Sequence, residues 1–158
     1  MKHHKVKISI MALCVILFGV QFIPVTRDNP EVVADFGENQ EVKNVLQRSC
    51  YDCHSHETVW PWYSRIAPVS WLVAGDVNEG REKLNFSTWG SLTEEKRKHL
   101  REEMWEEVEE GEMPLGIYLV MHSEAELSDT DKSVIRLWAT GHPGKSDSPE
   151  TESAGDED

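Results

Sequence analysis

The chain has 158 residues, which is enough for one modest domain with tails but not for several domains. Its 29 acidic residues outnumber the 16 basic ones, and the formal net charge is −13. This charge argues against nucleic-acid binding, which needs a basic surface. The acidic surface either attracts a basic protein partner or only keeps the domain soluble.

An apolar run is the first predicted element. Lys2, Lys5 and Lys7 precede an apolar stretch over residues 8–25, whose length lies between a signal-peptide core and a membrane-spanning helix. Because no cleavage site of small residues follows, we predict a single-pass anchor in the inner (cytoplasmic) membrane, with residues 1–7 in the cytoplasm. A cleaved signal segment and a buried helix of a soluble protein are the alternatives. An anchor and a signal would both place the remaining chain in the periplasm.

A linker and an amphipathic helix follow the apolar run. Asp28, Pro30 and Gly37 predict a linker over residues 26–38. The next segment predicts a helix from Gln40 to Cys50, because its apolar residues fall on one helical face. The residues of this face are Val42, Val45, Leu46 and Ser49.

The middle of the chain, from Thr58 to Trp89, is aromatic and contains many turn-forming residues. Pro61, Pro68 and the glycines of this stretch interrupt any long helix, so we predict turns or one short helix. No segment alternates polar and apolar residues as a half-buried strand would.

A clear helix is predicted in the second half of the chain, from Leu92 to Glu110. Thr93 alone, or Ser91 together with Glu94, would cap its start, and Gly111 would end it. One face carries apolar residues at every fourth position, and the opposite face is charged and therefore solvated. The apolar residues are Leu100, Met104 and Val108, with Trp105 beside them.

The last predicted helix begins near Ser128, which is followed by Asp131, and ends at Gly141. We expect it to bury Val134, Ile135, Leu137 and Trp138. Together these segments predict an all-α domain with long loops over residues 39–144, preceded by the transmembrane helix. Residues 145–158 are acidic and carry no large apolar side chain, so a disordered tail is predicted there.

The most specific motif of the chain is Cys50-Tyr51-Asp52-Cys53-His54. Its C-x-x-C-H spacing is the attachment signature of a c-type haem. The two thiols can each add to one vinyl group of the same macrocycle, and the adjacent His54 can coordinate the iron on its proximal side. Because the sequence holds no second C-x-x-C-H motif, we predict one covalent haem c per chain. The predicted export agrees, since such thioether bonds are made on the exported side of bacterial membranes.

Other uses of Cys50 and Cys53 are a zinc site, a dithiol redox pair and a structural disulfide. Zinc would add His54 or His56, but structural zinc usually takes further ligands from a second cysteine pair, which the sequence lacks. A dithiol redox site favours a βαβ neighbourhood, and no strand is predicted. Cys14 lies inside the apolar run, where we interpret it as a small membrane-buried residue.

The iron of such a haem has a second axial position, for which Met113 is the predicted ligand. It follows the end of a predicted helix and precedes Pro114, which restricts it to an extended backbone. Its thioether is a soft ligand that raises the reduction potential. His122 is the main alternative, because two histidine ligands are chemically ordinary, and Met121 is a further competitor.

The sequence offers several candidates for two further contacts, one with the haem propionates and one with the ring of His54. Arg65 and Arg81 are candidates to pair with haem propionates, because a guanidinium binds carboxylates in a bidentate manner, although both also suit an ordinary surface role. The carbonyl of Pro61 or of Pro68 is a candidate acceptor for the Nδ1 proton of His54, a contact that would orient the ring.

Several short motifs occur together with the C-x-x-C-H run. They are Cys50-x-x-Cys53-His54-Ser55, Pro61-Trp62-Tyr63-Ser64, Ile66-Ala67-Pro68-Val69-Ser70-Trp71, Gly80-Arg81-Glu82, Leu84-Asn85-Phe86-Ser87-x-Trp89, Glu112-Met113-Pro114, Tyr118, His122 and Leu127-Ser128. In combination they resemble the bacterial haem-binding domain family of cytochrome-c-like proteins, over residues 30–140. The resemblance implies one covalently bound haem in a small, cytochrome-c-like helical domain that is periplasmic and tethered to the membrane.

These observations predict a membrane-anchored periplasmic monohaem c-type cytochrome that passes single electrons between exported redox partner proteins. The residues assigned to the haem are Cys50, Cys53, His54 and Met113, of which His54 and Met113 would bind the iron. An electron carrier of this kind is not an enzyme. The alternative is a haem-based sensor or a peroxidase-like enzyme with an open distal site, lined by polar groups of His122, Glu112 and Arg81.

Overall fold

The computed structural model describes residues 2–142, and all regular structure within that range is helical. The predicted all-α fold with an N-terminal apolar helix is therefore confirmed, whereas the predicted acidic tail lies outside the described residues. The α-helices are α1 (Lys2–Val20), α2 (Gln40–Ser49), α3 (Tyr51–His54), α4 (Val69–Lys83), α5 (Glu94–Glu110), α6 (Gly116–Leu119) and α7 (Asp129–Thr140). Short 3₁₀ helices cover Trp62–Arg65, Phe86–Ser91 and Ser123–Ala125.

Helix α1 is long and apolar enough to cross a membrane, and its 18-residue window His3–Val20 is 0% buried. The helix includes the N-terminal lysines and ends before Pro24, so it is displaced toward the N-terminus from the apolar run at residues 8–25. Length and composition suit an anchor, and a signal sequence near the N-terminus meets the same criteria.

The segment between α1 and α2, predicted as a linker, is bonded to the domain. The backbone N–H groups of Val33 and Ala34 both donate to the carbonyl of Ser87, at 3.1 and 3.0 Å. Further on, Phe36 is only 1% exposed and packs in the same cluster as Trp89. The packed core therefore includes residues on the N-terminal side of the predicted domain start at residue 39.

Arg81 in the last turn of α4 joins this segment to the loop after α3. Its Nε donates to the carbonyl of Ser55 at 2.7 Å, and its Nη1 donates to the carbonyl of Asp28 at 3.0 Å. Its Nη2 donates to Asn29 Oδ1 at 3.0 Å and to Thr58 Oγ1 at 2.9 Å. A single guanidinium therefore holds three separate parts of the chain together, through the fixed fork of donors that arginine provides.

Helices α2 and α3 form an almost continuous unit that carries the C-x-x-C-H run. All four predicted residues of the α2 face are buried. Cys50, with φ −128°, separates the two helices, but its N–H still donates to the carbonyl of Leu46 at 2.8 Å. The N–H of His54 in turn donates to the carbonyl of Cys50 at 2.9 Å. The motif therefore follows the amphipathic helix predicted over residues 40–50, and residues 51–54 add a further helical turn that the sequence did not predict.

Helix α4 is longer than the sequence predicted, because its 15 residues replace the expected turns or short helix. Pro68 directly precedes its first residue, where the missing N–H removes no helical hydrogen bond. Gly80 lies where α4 touches α3: a Cβ on this residue would stand 2.7 Å from the carbonyl oxygen of Cys53. Glycine here permits close helix contact instead of ending the helix.

Helices α5 and α7 pack on each other, and their predicted caps are confirmed. Thr93 Oγ1 accepts from the N–H of Lys96 at 3.3 Å, and Gly111, with φ 79°, ends α5 in the left-handed conformation. Ser128 and Asp131 form a capping box at the start of α7.

The predicted buried face of α7 is wrong at one position. Leu137 is 51% exposed, whereas Ile135 is fully buried. Ala139 is buried in α7 as well, at 7% exposure. The face that contacts α2 and α5 is therefore centred on Ile135 and Ala139, and Leu137 lies beside it.

The core consists of two apolar clusters that share Met104 and Val134 at their boundary. The larger cluster contains most of the buried aromatic residues and holds the linker, α2 and the start of α5 together. Its buried members are Phe36, Val42, Leu46, Tyr51, Phe86, Trp89 and Leu100. The smaller cluster joins α2, α5 and α7 through Val45, Val108, Leu127 and Ile135.

The contact at Gly80 predicts opposite effects for two alanine substitutions in α4. Gly80→Ala should destabilise the protein by about 1–3 kcal/mol, because the new methyl group overlaps the α3 backbone. Gly75→Ala should raise stability by about 0.5–1 kcal/mol, because nothing lies within 4 Å of its added Cβ. Denaturant unfolding of the full chain in detergent, followed by helical circular dichroism, measures both. Equal midpoints for the two variants would contradict the close contact.

The capping box of α7 predicts a pH-dependent loss of stability in Asp131→Asn. Partial burial acts to raise the pKa of the Asp131 carboxyl, but hydrogen bonds from Ser128 and Arg48 outweigh it and hold the pKa below its usual range. The ionised form therefore stabilises the fold at pH values above the ordinary carboxyl pKa of about 3.9. This contribution is lost as the pH falls through the lower folded value.

We expect Asp131→Asn to cost about 0.5–2 kcal/mol at pH 7 and much less under strongly acidic conditions. Asp129→Asn, which changes an exposed acid in the same turn, is the matched control and should show a smaller cost. Urea unfolding of both variants at several pH values tests this difference. A constant cost of Asp131→Asn across the acidic range would contradict it.

Candidate functional site

A cavity of about 550 Å³ lies between the α2–α3 unit, α5 and the loop that follows α5. This volume is within the range of roughly 300–1,000 Å³ that ligand pockets commonly have. Cys50, Cys53, His54 and Met113 all line it. Its apolar wall is formed by Leu84, Leu100, Met104, Val108, Pro114, Leu115 and Leu127. The structure thus brings the four residues that the sequence assigned to one cofactor into a single cavity.

The imidazole of His54 is oriented by the C-terminal end of α4. Its Nδ1 lies 2.9 Å from the carbonyl oxygen of Gly80 and 3.1 Å from that of Leu84. Since carbonyl oxygens only accept hydrogen bonds, Nδ1 carries the proton and donates it. The suggested acceptors Pro61 and Pro68 are therefore wrong, because the long helix α4 brings its own final carbonyls to the ring.

The protonation state of His54 leaves one ring nitrogen available as a ligand. Burial lowers the pKa of His54, although the two hydrogen bonds to Leu84 and Gly80 act in the opposite direction. The ring is therefore neutral at pH 7, with its proton on Nδ1 and a lone pair on Nε2. This is the tautomer that metal-binding histidines adopt when Nδ1 donates to a backbone carbonyl.

Cys50 and Cys53 are free thiols at the same cavity. Burial, together with the nearby Cys53, raises the pKa of Cys50 to about 12. Burial and the charge of Asp52 raise the pKa of Cys53 to about 11. Both side chains are therefore protonated thiols at neutral pH, as their apolar surroundings favour.

The zinc site considered for the cysteines finds no support in the geometry of the described residues. Within residues 2–142, no three His, Cys, Asp or Glu side chains converge as ligands for a metal ion. His56, a possible zinc ligand from the sequence, directs its Nδ1 to the carbonyl of Glu31 at 2.8 Å. Its Nε2 lies 2.8 Å from the side-chain amide of Asn85. Both ring nitrogens of His56 are thus engaged outside the cavity.

Met113 reaches the cavity because the chain folds back after α5. The N–H groups of Glu112 and Met113 both donate to the carbonyl of Glu107, at 3.0 and 3.1 Å. The half-buried Met113 side chain packs against the cluster that contains Val108 and Leu127, and the peptide bond to Pro114 is cis. The two hydrogen bonds to Glu107 thus place Met113 among the lining residues of the cavity.

His122 does not line the cavity, and both of its ring nitrogens have partners. Its Nε2 lies 2.7 Å from the hydroxyl of Tyr63, and its Nδ1 lies 3.2 Å from Glu124 Oε1. The ring also stacks on Tyr118 at 4.3 Å between centroids. Met121, the other competitor, is 55% exposed and is likewise absent from the lining. Neither residue is brought together with His54 in this arrangement.

The two arginines considered as carboxylate partners also lie outside the cavity lining. Arg65 is exposed, and the donors of Arg81 are directed to the linker and the loop after α3. The basic residues of the lining are instead Lys83, at the end of α4, and Lys96, in the first turn of α5. Sequence analysis missed them because only the length of α4 places Lys83 beside this cavity.

Asp52, between the two cysteines, and Tyr118 are cavity residues that sequence analysis did not assign. The hydroxyl of Tyr118 donates to Asp52 Oδ2 at 2.8 Å, and the N–H of Val59 donates to Asp52 Oδ1 at 2.9 Å. Burial and the bond to Asp52 raise the pKa of Tyr118, so its hydroxyl keeps its proton. Asp52 thus joins the C-x-x-C-H run to α6, which carries Tyr118, and to the loop after α3, which carries Val59.

Comparisons with known proteins agree with the content of this cavity. No curated protein and no solved structure matches the chain. A family model described as a haem-binding domain matches residues 15–141, which include the C-x-x-C-H run and every other residue named in the cavity. The chain therefore belongs to the haem-binding domain family.

Proposed function

We propose that the protein is a membrane-anchored, periplasmic monohaem c-type cytochrome that transfers single electrons. The observation that carries the proposal is the shared cavity. It brings together two free thiols, an imidazole with an available Nε2 and a methionine thioether, all within an apolar wall. Family membership supports haem as the ligand. The covalent linkage, the axial ligands and the electron-transfer role are our inference from the residues.

The donor set of the cavity fits a covalent haem. Cys50 and Cys53 would each add their S–H across a vinyl group, so that sulfur bonds to carbon, the hydrogen goes to the other carbon and nothing leaves. The haem would supply one-electron chemistry at its iron. Leu84, Leu100 and Val108 give an apolar wall for a flat macrocycle and keep water from its surface.

His54 and Met113 are the proposed axial ligands. The carbonyls of Gly80 and Leu84 hold the proton on Nδ1 of His54 and fix the orientation of its ring. Met113 would contribute a neutral, soft donor, which would raise the reduction potential relative to a second histidine. His122 would have to give up a bond to Tyr63 or to Glu124 before it could bind a metal.

Lys83 and Lys96 are the proposed partners of the haem propionates. They are the lysines of the cavity lining, where the acids are Asp52, Glu103, Glu106 and Glu107. Lys83 also pairs with Glu79 at 2.8 Å, on the exposed side of α4. Two carboxylates brought to this predominantly acidic edge would need such cations to limit repulsion.

The proposed location follows from α1 and from the charges that precede its apolar residues. Helix α1 would span the inner membrane with its lysines in the cytoplasm, in line with the positive-inside rule. The haem domain would then lie in the periplasm, where its acidic surface can attract a basic redox partner.

The alternative of a sensor or a peroxidase-like enzyme has less support. Glu112 is exposed and does not line the cavity, and the guanidinium of Arg81 is bonded elsewhere. His122 is also outside the lining. The three polar groups that the sequence suggested for an open distal site are therefore not gathered around the cavity.

Covalent attachment predicts a specific mass for the protein matured in an export-competent bacterium. The wild-type chain and Cys14→Ser should both retain one bound haem after denaturation, because Cys14 lies in α1 and does not line the cavity. The double variant Cys50→Ser, Cys53→Ser should lose the covalent haem completely. Intact-mass spectrometry and the pyridine haemochrome spectrum measure this. Wild-type protein with the mass of the bare polypeptide would end the proposal.

Axial ligation by Met113 predicts that Met113→Ala opens the distal position. Carbon monoxide should bind rapidly to the reduced variant, and the reduction potential should fall because the soft thioether is gone. Met121→Ala is the matched methionine control and should behave as wild type. Visible spectroscopy with a redox titration provides the readout. An unchanged Met113→Ala spectrum, accompanied by carbon monoxide binding in His122→Ala, would assign the ligand to His122 instead.

A further inference from the structure

We propose that the domain contacts the lipid bilayer at a second place, through an exposed apolar patch at the start of α4. The patch consists of the apolar residues Trp62, Ile66, Val69 and Leu72, together with the basic residue Arg65. The inference rests on the proposed anchoring by α1, and adds to it a fixed orientation of the haem domain on the membrane surface. The partner of the patch is the interfacial region of the bilayer that α1 spans.

The exposure of the patch is the first argument. Trp62 is 67% exposed, and Ile66, Val69 and Leu72 are 46%, 41% and 51% exposed. Ile66, Val69 and Leu72 recur at every third position, and the N–H of Ser70 donates to the carbonyl of Ile66 at 2.9 Å, which holds the extended residue Ile66 next to the first turn of α4. Single exposed apolar residues are ordinary, but a group of this size marks an interaction surface.

Hydrogen bonds fix the patch beside the end of α1. Gln21 directly follows the last residue of α1, and its Nε2 donates to the carbonyl of Ala67 at 3.1 Å. Its Oε1 accepts from the N–H of the same Ala67 at 3.0 Å. Nearby, Arg27 Nη1 donates to the carbonyl of Ser64 at 3.0 Å. Ala67 lies between Ile66 and Val69, so these two hydrogen bonds hold the patch next to the C-terminal end of α1.

The length of α1 determines where its C-terminal end lies relative to the bilayer. The 18-residue window His3–Val20 has a length of about 27 Å at 1.5 Å per residue, and Lys5 and Lys7 in its first two turns would extend their ammonium groups to the cytoplasmic interface. This length matches a hydrocarbon core of about 30 Å. The residues immediately after Val20 therefore reach the headgroup region, and the patch bonded to Gln21 reaches it with them. Tryptophan favours this region because its ring is apolar and its N–H is polar.

The distribution of charge is an independent argument for a membrane as the partner. The chain has 29 acidic residues, yet none lies in residues 1–27 or in residues 58–75. These are the two segments that the bonds of Gln21 and Arg27 join. The charged side chains of the joined surface that follow α1 are Arg27 and Arg65, both basic. A surface without acids can approach anionic headgroups, whereas the rest of the chain would be repelled.

The test is photochemical crosslinking of the full chain in native membranes. We would introduce p-benzoylphenylalanine singly at Leu72, at Leu137 and at Ile16. Leu137 is the matched control, because it is 51% exposed like Leu72 but lies on α7. Ile16 reports on α1. After illumination, mass spectrometry of each purified variant identifies the adduct.

We expect phospholipid adducts at positions 16 and 72 and none at 137. Adducts at 16 with none at 72 would overturn the second contact and leave the anchor intact. The absence of an adduct at 16 would overturn the anchor, and this inference with it. A protein adduct at 72 would show that a protein partner covers the patch, which also overturns the inference. If the Leu72 variant loses the wild-type circular dichroism spectrum, Trp62 takes its place, since it is 67% exposed.

Discussion

The close contact between α3 and the end of α4 is the constraint on which the site depends. Gly80 has no side chain, so the two backbones approach until the carbonyls of Gly80 and Leu84 reach Nδ1 of His54. That contact sets the tautomer and the ring plane of the histidine. The next residue, Arg81, bonds the linker and the loop after α3 to the same helix end. One helix terminus thus organises the proposed iron ligand and the path of the chain between α1 and α2.

The charge state of the cavity complements this geometry. The thiols of Cys50 and Cys53, the imidazole of His54 and the thioether of Met113 are all neutral at pH 7. A buried set of neutral donors suits a large apolar ligand, because no uncompensated charge is left in the apolar wall. Charged groups occur at the edge of the cavity, where water can solvate them. The chemistry proposed for the site therefore agrees with its desolvation.

The sequence predicted the elements whose signals are local. The caps of α5 and α7, the buried face of α2 and the C-x-x-C-H run depend on residues within a few positions of each other. Helix α4 was not predictable in this way, because Gly75 and Gly80 resemble helix breakers until the contact with α3 is known. The carbonyl partners of His54 are 26 and 30 residues away, and nothing local identifies them. Tertiary contacts override the local preference at these positions.

The separation of these partners along the chain has a consequence for the order of assembly. A chain that crosses the membrane from its N-terminal side presents the C-x-x-C-H run before Gly80 and Leu84 have emerged. In such an open chain the two thiols would be exposed to water, and the burial that raises their pKa in the folded domain would lower their thiolate content once α4 has packed. Under the proposed covalent linkage, sulfur–carbon bond formation belongs to the nascent, still open polypeptide. The packing of α4 against α3 would then follow the attachment of the haem and bury the thioether bonds.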